Sequence, residues 1–240
     1  MRAILLVSVG VVLAMSAGAQ ASYITVGTGS NTANLVIEFG DSAVYAFSVK
    51  FSDPNTTGSD LLSIVEAAST LEVNRTYYEG WGDYVWGMTF DGHSNVGNGS
   101  GADWWHYWVR DGSSAEWNSP WDYGASFRTV SNGYSDGWVY GRDDAPRLPG
   151  DANNDLKVST GDLALLAGNW GTQSGATWAG GDFNGDGAVT TGDLSLLAGN
   201  WGFGVEVGPA PSMDSTAVPE PASLTLLACA GLACLRRRNV

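Results

Sequence analysis

Apolar and polar positions alternate along three early stretches, Tyr23–Val26, Leu35–Phe39 and Val44–Phe51, the period of a strand with one buried face. The spacing then lengthens. Leu61, Leu62, Ile64, Val65 and Ala68 recur at helical intervals behind Ser59 and Asp60, which suit the start of a helix. Four further short strands are expected at Tyr84–Phe90, Trp104–Val109, Ser126–Val130 and Gly137–Tyr140, separated by turns rich in glycine, asparagine and aspartate. One helix against a mostly antiparallel sheet predicts an α+β domain over residues 22–147. Along Trp104–Val109, Trp105 and Tyr107 face away from Trp104, His106 and Trp108, so at least one of the two sets belongs to the core.

A helical rhythm returns twice after residue 150. Leu163, Leu165, Leu166 and Trp170 form one apolar face, and Leu194, Leu196, Leu197 and Trp201 a second. Each face follows a polar run, and the two runs repeat one another: Gly150 to Asp162 and Gly181 to Asp193. Neither helix buries its face alone, so the pair should pack antiparallel about a pseudo-twofold axis. Gly168 and Gly199 fall near the expected helix ends, where glycine is favoured.

The polar runs have the spacing of a twelve-place calcium loop, which wraps the ion with oxygen ligands from alternating positions. In the second run the ligand places hold Asp182, Asn184, Asp186, the Ala188 carbonyl, Thr190 (directly or through water) and Asp193, with Gly187 at the sharp sixth place. In the first run they hold Asp151, Asn153, Asp155, the Lys157 carbonyl, Ser159 and Asp162, but Leu156 occupies the sixth place. A leucine at positive φ is strained where glycine is not, so the first loop is expected to be the weaker of two Ca²⁺ sites. Val189, at the eighth place, is expected to pair with the other loop or with the core.

A short aspartate at the twelfth place and a single helix after each loop resemble the dockerin type I family over residues 150–202. The resemblance implies a small all-α pair of calcium loop-helix repeats that docks on a cohesin-like domain. Its contacts would involve the tenth and eleventh loop places, here Thr160, Gly161, Thr191 and Gly192. The glycines depart from the family's usual Ser/Thr pair, and a calcium-stiffened spacer is the alternative.

Composition narrows the field. With 25 acidic against 11 basic residues, the formal charge of −14 repels phosphate backbones, which argues against nucleic-acid binding. The chain opens with Arg2, an apolar stretch from Ile4 to Met15, and Ala19-Gln20-Ala21, a secretory signal over residues 1–21 with cleavage before Ser22. Both cysteines, Cys229 and Cys234, lie near the C-terminus, so packing and ions rather than disulfides must hold the body.

A linker over 203–217 leads to Pro219-Glu220-Pro221, an apolar run from Ala222 to Leu235 and the basic cluster Arg236 to Arg238. This arrangement is similar to the PEP-CTERM sorting signals of Gram-negative bacteria, here over 218–240. It implies recognition of Pro219, Glu220 and Pro221 by an exosortase, transient membrane association through the tail, and a destination in the cell envelope, outer surface or extracellular matrix. In the N-terminal region, the runs Asp60 to Ala67, Tyr84 to Gly92, Trp105 to Val109, Gly124-Ala125 and Ser135 to Tyr140 resemble the transcobalamin C-terminal-like domain family, which implies a ligand- or protein-binding module.

That region also holds eight of the tryptophans and all nine tyrosines. Exposed rings could stack on a glycan; on alternating strands most are expected in the core. His93, in a glycine-rich loop, and His106, mid-strand, have no catalytic companions at recognisable spacing, and no carboxylate pair stands out. The expectation is a non-catalytic exported protein with a binding N-domain and a calcium-stabilised docking or spacer module. The alternative is a polysaccharide-acting hydrolase delivered by its docking repeats.

Overall fold

The computed structural model describes residues 23–97, 103–112, 116–120 and 123–204. The elements run β1 (Ile24–Gly27), β2 (Asn31–Glu38), β3 (Val44–Phe51), α1 (Gly58–Ala68), β4 (Glu72–Tyr78), β5 (Gly82–Phe90), β6 (His93–Val96), β7 (Trp105–Arg110), β8 (Ser135–Tyr140), α2 (Thr160–Gly168) and α3 (Thr191–Gly199). Short 3-10 turns lie at Ala125–Phe127 and Trp178–Gly180. The chain is thus mixed α and β, with a mostly β N-terminal part. The expected export signal over residues 1–21, the tail with Pro219-Glu220-Pro221, and the greater part of the expected linker lie outside the described residues.

A five-stranded sheet has the order β1-β3-β2-β8-β7, and β4-β5-β6 form a second sheet. The smaller sheet is antiparallel throughout. The larger one is mixed: β2–β3 and β7–β8 are antiparallel, whereas β1 runs parallel to β3 and β2 parallel to β8. Strand β2 reads Leu35-Val36-Ile37 without alternation because both of its faces are covered. Leu35 and Ile37 join Phe47, Val49, Trp105 and Trp138 in a core completed by Leu61, Leu62 and Val65 of α1 and Val85, Met88 and Phe90 of β5. On the opposite face Val36 and Ala46 join a second core with Leu148, Leu156, Val158, Leu166, Phe183, Val189, Leu197 and Phe203. The repeats are therefore packed against the sheet, and all described residues up to Gly204 belong to one compact unit.

Several elements differ from expectation. Helix α1 is capped by Thr57: its hydroxyl accepts the Asp60 amide at 3.2 Å, and the Asp60 carboxylate accepts the Thr57 amide at 2.8 Å. The strand expected at Ser126–Val130 is the 3-10 turn followed by one bridge, Thr57 to Thr129. Tertiary bonds take the place of a ladder there: the Ser126 hydroxyl accepts the Asp83 amide and Arg128 turns inward to Asp136 at 2.8 Å. His93 opens β6 rather than sitting in a loop. Strand β4 has no counterpart among the expected strands, because it is largely exposed and carries few apolar residues. Of the two faces of β7, Trp105 and Tyr107 belong to or pack on the first core, while Trp104 stands 41% exposed.

Candidate metal centres in the two loop-helix repeats

The two loops share most of their hydrogen bonds and differ at the first place, where Asp151 Oδ1 accepts the Asp155 amide at 3.1 Å but Asp182 Oδ1 accepts the Gly185 amide at 2.8 Å. Asp162 Oδ1 accepts the amides of Ala152 (2.9 Å) and Asn153 (3.2 Å), and Asp193 Oδ1 accepts those of Phe183 (2.8 Å) and Asn184 (3.2 Å). The other oxygen of each aspartate accepts the amide of the helix cap, Ser159 at 2.8 Å and Thr190 at 2.9 Å. The twelfth-place aspartate thus closes its loop and, through a capping box, begins its helix. Asp151 and Asp182 accept the sixth-place amides, Leu156 at 2.8 Å and Gly187 at 2.9 Å. Asp155 and Asp186 accept the seventh-place amides, Lys157 at 2.9 Å and Ala188 at 2.8 Å.

The halves are also interlocked. Val158 donates to the Phe203 carbonyl beyond α3 and accepts from Gly202, each at 2.9 Å. Val189 does the same beyond α2, donating to Thr172 at 2.9 Å and accepting from Gly171 at 3.1 Å. Each eighth-place valine, fully buried, clasps the segment that follows the other repeat's helix. Gly168 and Gly199 end the helices in helical conformation, the caps are Asn169 and Asn200, and the left-handed residues are Gly171 (φ 85°) and Gly202 (φ 83°).

Leu156 adopts φ 67° where Gly187 has φ 82°, so the sixth place makes the same turn in both loops. Its side chain is 3% exposed in the core shared with Val36 and Ala46. The Leu156 carbonyl accepts the Tyr23 hydroxyl at 3.2 Å, Arg110 donates to the Asn154 carbonyl at 3.3 Å, and the Tyr23 and Phe203 rings lie 4.7 Å apart. The leucine is an anchor between the first loop and the sheet. Sequence reasoning could not find it, because its partners Tyr23, Val36 and Ala46 look like ordinary strand residues. Trp178 was missed for a similar reason: it lies between the repeats without a counterpart, yet its indole N–H donates to the Asp151 carbonyl at 2.7 Å.

Four loop carboxylates are removed from solvent: Asp151, Asp162 and Asp193 at 0% exposure and Asp182 at 5%. Burial pushes the Asp151 carboxyl up to about 7, and the neighbouring charges of Asp162 and Asp155 add to the rise. Burial acts the same way on Asp193, but the amides of Thr190, Asn184 and Phe183 outweigh it and hold that group below its usual range. Among the described residues no three His, Cys, Asp or Glu side chains gather at metal-holding spacing. What each loop offers is an all-oxygen donor set of carboxylates, an asparagine, a hydroxyl and a main-chain carbonyl, the kind that suits a hard cation such as Ca²⁺. Thr160, Gly161, Thr191 and Gly192 are all exposed at the helix starts.

Residues 149–200 match the dockerin type I domain. Dockerin type I domains bind calcium, in keeping with the donor chemistry of the loops. No curated protein matches the chain. In this dockerin-type unit Leu163, Leu194, Leu197, Ala198 and Trp201 also line an open apolar recess between the helices.

Proposed function

We propose that this chain binds two Ca²⁺ ions, one per loop, and uses the stiffened dockerin-type unit to dock the protein on a partner outside the cell. The first ion is held by Asp151, Asn153, Asp155, the Lys157 carbonyl, Ser159 and Asp162. The second is held by Asp182, Asn184, Asp186, the Ala188 carbonyl, Thr190 and Asp193. The observation that supports this reading is the duplicated closure of both loops by the twelfth-place aspartates Asp162 and Asp193. Isothermal titration of the chain with Ca²⁺ tests it: two ions per chain are expected, and Asp193→Ala should leave one. A chain that takes up no Ca²⁺ refutes it.

Dockerins typically bind cohesin partners, and the exposed Thr160-Gly161 and Thr191-Gly192 are the proposed contact positions. Capture of a cohesin-like domain in Ca²⁺ and its release in chelator is the expected result. The N-terminal domain is the ligand- or partner-binding part of a non-catalytic protein. Export through residues 1–21 and exosortase processing at Pro219-Glu220-Pro221 place it at the envelope. Mass spectrometry of envelope protein should then find neither Cys229 nor Cys234. The dockerin match also fits an attached polysaccharide hydrolase; hydrolysis of polysaccharide by the purified chain would favour that second reading.

A further inference from the structure

The turn between β4 and β5 carries a surface that neither core uses. Tyr77, Tyr78, Trp81, Tyr84, Tyr123 and Phe127 are all exposed there, Trp81 most of all at 75%. Isolated exposed apolar residues need no explanation, but a contiguous patch with a polar rim marks a binding surface. Tyr78, Trp81, Asp83, Tyr84 and Tyr123 surround a recess of about 330 Å³, at the lower end of the range for small-molecule sites.

The recess is built from two distant segments fastened together. The Asp83 amide donates to the Ser126 hydroxyl at 2.9 Å, and the Asp83 carboxylate accepts the Ser59 hydroxyl. A Cβ at Gly82 would lie 2.7 Å from that of Ser126, and one at Gly124 would lie 3.1 Å from the Trp81 carbonyl. Such close backbone approach holds Trp81 and Tyr84 of the hairpin beside Tyr123 of the neighbouring segment. Tyr78 and Tyr84 stand edge to face with centroids 6.4 Å apart. A preformed site of this kind loses little entropy when it is filled.

The lining selects its ligand. Among the described residues it contains aromatic rings and phenol hydroxyls with one carboxylate, and no basic side chain. On a chain of net charge −14 this disfavours anions. Among the described residues no aliphatic side chain lines it either, unlike the mixed surfaces that hold lipid or a protein helix. Flat rings with hydroxyl handles match a ligand that has apolar C–H faces and hydroxyl edges. We propose that this recess binds a sugar ring of an uncharged polysaccharide, which deepens the ligand-binding reading of the N-terminal domain.

Affinity electrophoresis of the full chain through gels containing a neutral β-1,4-glucan, β-1,3-glucan or β-1,4-mannan tests the assignment. At least one polymer should retard the protein. Trp81→Ala and Tyr84→Ala should each weaken that retardation at least about tenfold, while Trp170→Ala, at an exposed ring elsewhere, leaves it unchanged. Trp81 is so exposed that its removal should not disturb folding, and an unshifted melting temperature verifies this. No retardation by any of the three polymers overturns the proposal, as does retardation that survives Trp81→Ala. Binding of tetramethylammonium in place of every polymer would also overturn it and assign the rings to a cation cage. Calcium titration of Trp81→Ala should still count two ions, so failure here is distinct from failure of the docking reading.

Discussion

Leu156 answers to two opposed demands. Its backbone makes a turn that costs a non-glycine residue roughly 1–2 kcal/mol, yet its side chain fills the core between the first loop and the sheet. Emptying such a position to glycine costs about 2–5 kcal/mol by itself. Burial therefore wins, and Leu156→Gly should lower unfolding stability by about 1–3 kcal/mol in urea titration even though it restores the usual calcium-loop residue. A gain in stability would show the leucine to be a defect. A second residue-scale case is Asp136, fully buried with its carboxylate against Arg128 at 2.8 Å and the Tyr107 hydroxyl at 2.6 Å. Asp136→Ala takes away the buried partner of the Arg128 guanidinium and leaves it the exposed Asp111 carboxylate at 2.8 Å, so it should cost about 3 kcal/mol in the same measurement. Tyr107→Phe, which removes one hydrogen bond, should cost about 1 kcal/mol.

At the scale of the element, the two loops are alike in outline and unlike in charge behaviour. Asp151 ionises near pH 7 in the calcium-free fold, against about 4 in an unfolded chain. Its contribution to stability is thus present below about pH 4 and lost as pH rises through about 7. Asp193 is depressed, so its contribution is present above about pH 4 and lost as pH falls through its lowered value. Protons should therefore compete with Ca²⁺ at the first loop only. Between pH 8 and pH 6 the affinity of that site should fall about tenfold, while the second stays level, as titration at the two pH values would reveal. The loops were legible in the sequence because Asp, Asn, Ser and Thr recur at the alternating places and the pattern occurs twice. Strands β1 and β3 were legible through alternation, whereas β4, from Glu72 to Tyr78, has a register shift between Asn74 and Arg75 and sets only Val73 against the core, so it left no periodic trace. The parallel pairing of β2 with β8 is a long-range choice made by packing, and no local pattern records it.

For the whole molecule, the decisive fact is that Val36 and Ala46 of the sheet share a core with Leu166 and Leu197 of the repeats. The linking segment is fixed as well: Glu38 accepts Arg142 at 2.5 Å and the Arg147 amide at 2.8 Å. A single cooperative melting transition is therefore expected for both parts. Saturating one calcium site at about 100 times its Kd adds about 2.7 kcal/mol, or roughly 5–11 °C for a unit of this size. Calorimetry with Ca²⁺ and with chelator should show that shift in one peak. A sheet transition that ignores Ca²⁺ would mean that the two parts melt independently.

Trp178 gives this molecule an optical handle. Its indole N–H is tied to the Asp151 carbonyl at 2.7 Å, and its ring lies 5.3 Å from Phe183 of the second loop and 5.5 Å from the Arg147 guanidinium. One chromophore thus touches both loops and the linking segment. Its emission should change in intensity and wavelength as each ion enters, in two phases at unequal Ca²⁺ concentrations. Subtracting the signal of Trp178→Phe would isolate that change from the other ten tryptophans, so loop occupancy could be followed by fluorescence without an added dye.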